Sequence, residues 1–385
     1  MINGQQPFFI TIYNRRPDMS DRITIKYDNK PCYDIVFGYD FNELGSEIEG
    51  LGFKDRKIAI VTDSNVKPLY AESVAEALKS VSDKVFIYDI PAGEANKNLS
   101  QIEKIYKFLI ENHFDRHDLL VALGGGVVGD MTGFTAATYL RGIAYVQIPT
   151  TLLSQTDSSI GGKTGVDLEG YKNMVGAFYM PRLVYMNIST LSSLDGRQFA
   201  SGFAEVMKHG LIKDASFYTW LLENMYEIND REPDTLMEMV INSCKIKKAV
   251  VEKDPTEKGD RALLNFGHTL GHAIEKHKNF ELFHGECVAL GCVAAAFISW
   301  KKEFISMEEY YEIRDMFVPF NLPITVEDID TDEVIKLAKS DKKADSDKIR
   351  FILLKGIGKA FISTDVAEAD MKSALDEIIY IESND

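Results

Sequence analysis

The stretch from Leu119 to Asp130 constrains the fold of this chain more than any other. Leu119-Leu120-Val121-Ala122-Leu123 runs directly into Gly124-Gly125-Gly126-Val127-Val128-Gly129-Asp130. An unbroken apolar run of that length, closed by glycine, reads as a buried strand of a parallel sheet. Gly124, Gly126 and Gly129 then satisfy G-x-G-x-x-G between a strand and a helical pattern. In that setting the spacing has a mechanical meaning: a tight turn, a backbone open to close approach by a pyrophosphate, and a helix N-terminus aimed at the anion. Two features weaken a conventional Rossmann reading. No acidic residue follows about 20 positions on to hold a ribose, and this strand is not the first of its unit. A plain glycine-rich strand-to-helix turn is the competing reading of the motif taken alone.

The flanks repeat the strand-then-helix pattern. Lys57 to Val61 reads as a strand ending at Thr62-Asp63-Ser64-Asn65, with a helix through Leu78. Val85 to Ile90 is a second, ending at Pro91 to Lys97 before an amphipathic helix from Ser100 to Asn112. Ala144 to Ile148 and Leu183 to Met186 add two more strands. Such alternation predicts a parallel sheet with ligands gathered at the strand C-termini. Residues 22–38 alternate around Asp28-Asn29-Lys30-Pro31 and read as an edge hairpin. From Thr190 to about Ser340 the pattern is almost wholly helical. Ile349 to Leu354 and Lys359 to Ser363 then suggest a small β pair, with a last helix from about Ala367. We expect an α/β domain over residues 1–190 and a helical domain over 191–385, which suits a chain of 385 residues.

Charge and cysteine usage narrow the setting. A net charge of −16 disfavours nucleic acid or an anionic membrane as partner. No apolar run approaches the ~20 residues needed to span a bilayer, and residues 1–21 lack the apolar core of a signal peptide. Cys32, Cys244, Cys287 and Cys292 show no C-x-x-C spacing and read as buried small hydrophobes in a reducing compartment. A cytoplasmic protein is expected. Against the acidic balance, Arg141, Lys163, Lys172, Lys208, Lys247 and Arg261 all fall within motif stretches, as a concentrated pocket for an anion requires.

After Ala144 to Ile148 come Pro149-Thr150-Thr151, Asp157-Ser158-Ser159, Gly161-Gly162-Lys163-Thr164 and Tyr171-Lys172-Asn173. So many small, polar and charged residues on a long connection are typical of a site. In the helical half, Glu205 and Lys208 lie three apart on one helix face, as do Asn265, His268 and His272 at helical spacing. His284 sits in Phe283-His284-Gly285-Glu286. One glutamate and two histidines, with open positions, form the ligand set of a catalytic divalent metal. The i, i+4 spacing of His268 and His272 allows both to bind, so spacing alone leaves open which two histidines serve.

The runs GGGVVGD, PTTLLSQTDSSIGGKTGVD and KNMVGAFYMP, with matches continuing toward the C-terminus, resemble the dehydroquinate synthase family. These are sugar-phosphate cyclases that use NAD and one divalent metal, zinc or cobalt. The resemblance implies an α/β N-terminal domain with a parallel, Rossmann-like sheet and a mostly α-helical, metal-binding C-terminal domain. It implies conversion of 3-deoxy-D-arabino-heptulosonate 7-phosphate to 3-dehydroquinate and phosphate. NAD would be contacted by Asp63, Asn65, Glu94, Lys97, Gly125, Gly126, Val127, Val128, Asp130, Thr150, Thr151 and Lys172. Glu94 and Lys97, in a GExxK pattern, would replace the missing ribose acid. Read without the resemblance, Asp63 and Asn65 are ordinary turn residues, and Glu94 is a helix first-turn acid.

The metal is assigned on the same ground to Glu205, His268 and His284, with His272 turned toward the phosphate. Asp157, Lys163, Lys208 and His272 would be catalytic. Lys163, Asn173, Asn265 and His272 would bind the substrate phosphate, and Lys172 would contact substrate as well as cofactor. Arg141 would reach in from the second subunit of a homodimer. Lys247 and Arg261 would take the substrate carboxylate, the alternative being that Arg261 merely pairs with Glu257 or Asp260 on a helix surface. Lys342 or Lys343, after Asp341, would add a phosphate contact. The rivals are sister cyclases of the 2-epi-5-epi-valiolone and 2-deoxy-scyllo-inosose synthase types, and a metal-dependent polyol dehydrogenase.

Overall fold

A computed structural model of the chain describes residues 22–255, 259–341 and 349–380. Glu257, Lys342 and Lys343 lie outside the described residues. The apolar runs become strands: β1 Arg22–Tyr27, β2 Lys30–Gly38, β3 Ile58–Asp63, β4 Val85–Ile90, β5 Leu119–Gly124 and β6 Ala144–Pro149. β7 Lys163–Leu168, β8 Tyr171–Phe178 and β9 Leu183–Asn187 follow. Among the described residues the main sheet has the order β1-β2-β9-β6-β5-β3-β4. β1 pairs antiparallel with β2, and every other pairing in this sheet is parallel.

Strand order places the site. The chain crosses from β3 to β4 on one side, then returns to lay β5 on the other side of β3. Neighbouring crossovers therefore diverge beyond Asp63 and Gly124, and a doubly wound sheet opens its ligand crevice at such a point. β5 is buried along its whole length, as its unbroken apolar run requires.

One region departs from expectation. The polar stretch after β6, read as a long connection, contains the antiparallel hairpin β7–β8. Its alternation is masked by glycine, lysine and asparagine: Thr164, Gly165 and Val166 are buried, whereas most of β8 is exposed or half-buried. The hairpin packs on helix Gly126–Thr138, just behind the glycine turn.

The helical half is built on Gly196–Lys213, Pro233–Lys253, His268–His277 and His284–Lys301. The last is apolar nearly all round and correspondingly buried. A Cβ on its Gly291 would stand 1.8 Å from the Gly267 carbonyl oxygen, so only glycine lets this helix close onto the start of helix His268–His277. That contact brings the histidines together. The core of this half is continuous with one face of β1, β2 and β9, through Ile23, Ile35, Val184 and Met186 against Phe203, Val206 and Leu270. Among the described residues, no helix is long and apolar enough to cross a membrane.

Candidate active site

At the sheet edge, β5 ends at Gly124, whose carbonyl accepts the Thr150 N–H at 3.0 Å. Helix Gly126–Thr138 starts two residues later, and its N-cap position, Gly125, offers no side chain to its first-turn N–H groups. Those donors face the crevice uncapped, as an anion site requires. A Cβ on Gly126 would lie 3.1 Å from Ser158 Oγ, so the turn has no spare room. Val128 is buried beneath it. Thr151 is engaged locally: its Oγ1 accepts the Ser154 N–H at 3.1 Å.

Glu94 opens a short turn, Glu94–Asn96, and Lys97 follows with 4% exposure. Lys97 Nζ lies 2.6 Å from Asp130 Oδ2, 2.6 Å from Asn173 Oδ1 and 3.9 Å from Glu94. Burial opposes the Lys97 charge, but Asp130 and Glu94 outweigh it and raise its pKa. Four residues from three motifs thus converge, and Asn173, expected at the phosphate, has its amide oxygen on Lys97. Asp63 is already used by its turn, accepting the N–H of Asn65 at 2.8 Å and of Val66 at 3.0 Å. Asn65 is exposed beside it.

The opposite wall comes from the helical half. Helix Gly196–Lys213 presents Glu205, Lys208 and His209, all buried. His268 and His284 are each the first residue of their helices. Their Nε2 atoms lie 3.5 Å and 3.4 Å from the same atom, Glu205 Oε1. His268 Nδ1 faces the Phe266 carbonyl at 3.0 Å, and His284 Nδ1 faces Glu275 Oε2 at 3.7 Å. Burial lowers the His284 pKa, but Glu205 and Glu275 outweigh it and raise it to about 9; once neutral, with Nδ1 protonated toward its acceptor, each ring would turn an Nε2 lone pair toward Glu205.

These residues fit a divalent cation. Glu205 is 1% exposed, and neither carboxylate oxygen receives a hydrogen bond among the described residues, although the Lys208 ammonium makes an ion pair with Oε2. A buried carboxylate with two imidazole nitrogens at one oxygen is short of positive charge, and a metal supplies it. Burial pushes Glu205 up, but Lys208 and the two histidines hold it well below the usual carboxylate range. Burial and Lys208 hold His268 neutral, with its pKa well below the usual histidine range. His272 makes a second compact set with the other two histidines, whose nitrogens lie within 4.8 Å of one another.

Asp157 stands between the walls. Lys247 Nζ donates to its carbonyl at 2.6 Å and pairs with its carboxylate. Burial raises the Asp157 carboxyl, but Lys247 and Lys208 outweigh it and bring it down to about 2. Burial lowers the Lys247 ammonium. Arg261 is 3% exposed, and its guanidinium donates to the Pro255 carbonyl at 2.5 Å, while Asp260 pairs with Lys253. It is therefore not a surface residue paired with Asp260. Lys163 is exposed at the start of β7, and Asn265 and His272 are half-buried. Arg141 is exposed with φ +66° beside Leu140 at φ +51°.

Two residues escaped the sequence reading. His209 is fully buried, with Nδ1 2.7 Å from Ser243 Oγ and Nε2 3.9 Å from Asp157 Oδ1. Burial and Lys208 push it down to about 3, so it is neutral. Glu275 accepts from Lys172 Nζ at 2.8 Å while facing His284. Neither carries a motif; a buried charge at i+7 from His268 is the only local hint of Glu275.

Solved structures place this architecture among the sugar-phosphate cyclases. A 2-deoxy-scyllo-inosose synthase, complexed with carbaglucose-6-phosphate, NAD+ and Co2+, superposes with a TM-score of 0.83 at 26% identity, covering 93% of this chain and 100% of that one. A 2-epi-5-epi-valiolone synthase from Streptomyces hygroscopicus, with NAD+ and Zn2+ bound, gives a TM-score of 0.84 at 25% identity, over 92% of this chain and 98% of that one. By sequence, the 3-dehydroquinate synthase of Acetivibrio thermocellus is 46% identical over 83% of this chain and 89% of its own length. The family model described as 3-dehydroquinate synthase N-terminal matches residues 87–201, and its C-terminal counterpart matches residues 202–344. The chain belongs to the 3-dehydroquinate synthase family.

Proposed function

We propose that this chain is a 3-dehydroquinate synthase that converts 3-deoxy-D-arabino-heptulosonate 7-phosphate to 3-dehydroquinate and phosphate, using NAD and one divalent metal, zinc or cobalt. The observation that carries the reading is the identity of 46% with a synthase of that name over 83% of the chain, against 26% and 25% to the two sister cyclases. Buried Arg261 is consistent with it, because a planar guanidinium held near Asp157 and Lys247 suits bidentate binding of a carboxylate. It also argues against a polyol dehydrogenase, whose substrate carries no charge.

Glu205, His268 and His284 hold the metal in this reading, because two Nε2 atoms converge on one Glu205 oxygen. The uncapped first turn after Gly125, with Gly126, Val127, Val128, Asp130, Thr150 and Thr151, takes the NAD pyrophosphate side. Glu94, Lys97, Asp63, Asn65 and Lys172 flank it. Bound there, NAD would supply reversible hydride transfer and the metal Lewis acidity toward adjacent hydroxyls. The protein does the rest. Asp157, kept ionised by Lys247, and Lys208 orient the reacting hydroxyls, the carboxylate accepting hydrogen bonds at Oδ1 and the ammonium donating them at Nζ. Lys163, Asn173, Asn265 and His272 hold the phosphate until it leaves. Lys247 and Arg261 anchor the carboxylate.

The division into a NAD-binding part, 1–190, and a metal- and substrate-binding part, 191–385, belongs to the same reading; the short helical segment Ile188–Ser193 separates the last sheet strand from the first long helix. Exposed Leu140, Tyr171, Met174 and Phe178 support a homodimer in which Arg141 serves the partner's site. Three buried free thiols, Cys244, Cys287 and Cys292, support a cytoplasmic setting.

The test is incubation with the heptulosonate phosphate and NAD, following phosphate and reduced nicotinamide together. Phosphate should appear over many turnovers while nicotinamide absorbance stays flat. A stoichiometric rise in reduced cofactor would replace the reading with a dehydrogenase. Comparable rates on sedoheptulose 7-phosphate would move the chain to a sister cyclase.

A further inference from the structure

We infer that Glu275 is the positioning residue of the metal wall: it fixes the tautomer and orientation of His284 and ties that ligand to Lys172 on β8. The inference rests on the proposed metal reading. Glu275 lies on helix His268–His277 with 4% exposure, in a stretch whose next residue, Lys276, is exposed. Its two oxygens are divided between two partners. Oε1 accepts from Lys172 Nζ at 2.8 Å, and Oε2 lies 3.7 Å from His284 Nδ1. Lys172 is further held over the Phe280 ring, 4.7 Å from its centroid.

The comparison with His268 gives the contact its meaning. Both imidazoles direct Nε2 at Glu205 Oε1, and each is fixed from behind at Nδ1. For His268 the acceptor is the Phe266 backbone carbonyl at 3.0 Å, which the helix start supplies whatever the side chain. For His284 it is a carboxylate. At 3.7 Å this is an ion-pair contact; drawn in to a hydrogen bond, Nδ1–H to a carboxylate selects the tautomer that leaves Nε2 free and makes that nitrogen a stronger donor to a metal. Glu205 faces His284 from the metal side, at Nε2, and Glu275 faces it from behind, at Nδ1. Because Lys172 belongs to the hairpin packed against the glycine-turn helix, Glu275 also links the cofactor wall to the metal wall.

The competing view is a structural ion pair between Glu275 and Lys172, with His284 a bystander. Metal affinity separates the two. Chelator-stripped protein is titrated with Zn2+ against a chromophoric chelator, and with Co2+ while the visible absorption that reports ligand geometry is recorded. Glu275→Gln should raise the metal Kd by about 10- to 100-fold and change the Co2+ spectrum. Glu275→Asp, which keeps the charge but shortens the reach, should fall between. Lys172→Met should leave the metal Kd within about threefold, since the carboxylate still faces His284. Wild-type metal affinity and spectrum in Glu275→Gln, or in Glu275→Asp should the first variant not fold, would overturn the inference. Equal loss of metal in Lys172→Met and Glu275→Gln would overturn it too, in favour of the ion pair. Unchanged metal binding in Glu205→Gln would instead strike the proposed ligand set itself.

Discussion

The two walls of the crevice prepare for their ligands by different physics. On the sheet side, the turn from Gly124 to Gly129 holds no titratable group; it offers uncapped N–H donors and space, to the limit that a methyl on Gly126 would reach Ser158 Oγ at 3.1 Å. On the helical side the site is made from buried charge, Glu205, Lys208 and Lys247, the last paired with half-buried Asp157 between the walls. The first wall should therefore be broken by adding an atom, and the second by removing a charge. A backbone cradle tolerates many charge patterns around it. A buried charge network fails when one member leaves, because the remaining partner is stranded in a poorly solvated place.

The largest effect should come from the charged wall. Glu205→Gln keeps the shape but strands Lys208, and it should strip the metal and lower kcat/KM by at least about 10³-fold. Metal analysis of the purified variant checks it, and full metal occupancy would end the Glu205 assignment. Next is Arg261→Ala, expected to lose about 10²- to 10³-fold in kcat/KM, chiefly through KM, as two charge-assisted hydrogen bonds disappear. Its NAD and metal content should stay normal, and the preference over sedoheptulose 7-phosphate should shrink with it. A loss below about threefold would mean that Arg261 is structural.

Gly126→Ala tests the other wall. The added methyl should weaken NAD binding by about tenfold, measured by fluorescence titration, with metal content unchanged. Metal loss in this variant would show the walls to be less independent than their chemistry suggests.

The smallest effect is on stability against pH. The Asp157 carboxyl falls to about 2 in the folded chain, below its ordinary value of 3.8. A depressed carboxyl contributes stability that is present above its unfolded pKa and is lost as pH falls toward the folded one. Melting of the metal-free protein should thus decline between about pH 4 and pH 2 with a slope that Asp157→Asn flattens. An identical slope in both proteins would show that Lys247 does not stabilise the charge.

The chain's local chemistry determined much of this. Unbroken apolar runs bounded by glycine made β3, β5 and β6 readable, and the glycine spacing marked the anion turn, because both signals sit within a few residues. Periodicity separated the helical half for the same reason. Glu205, His268 and His284 were legible only as a set, and spacing could not choose between His272 and His284. Tertiary structure decided the rest. It chose the strand order that opens the crevice between β3 and β5, and it folded residues 163–178 into a hairpin hidden by glycine and lysine. It placed Asn173 on Lys97, 76 positions away, and Lys172 on Glu275, 103 positions away. No local pattern encodes such pairs. They exist because a buried charge must be met by compensating groups, and only the packed fold brings those groups within reach.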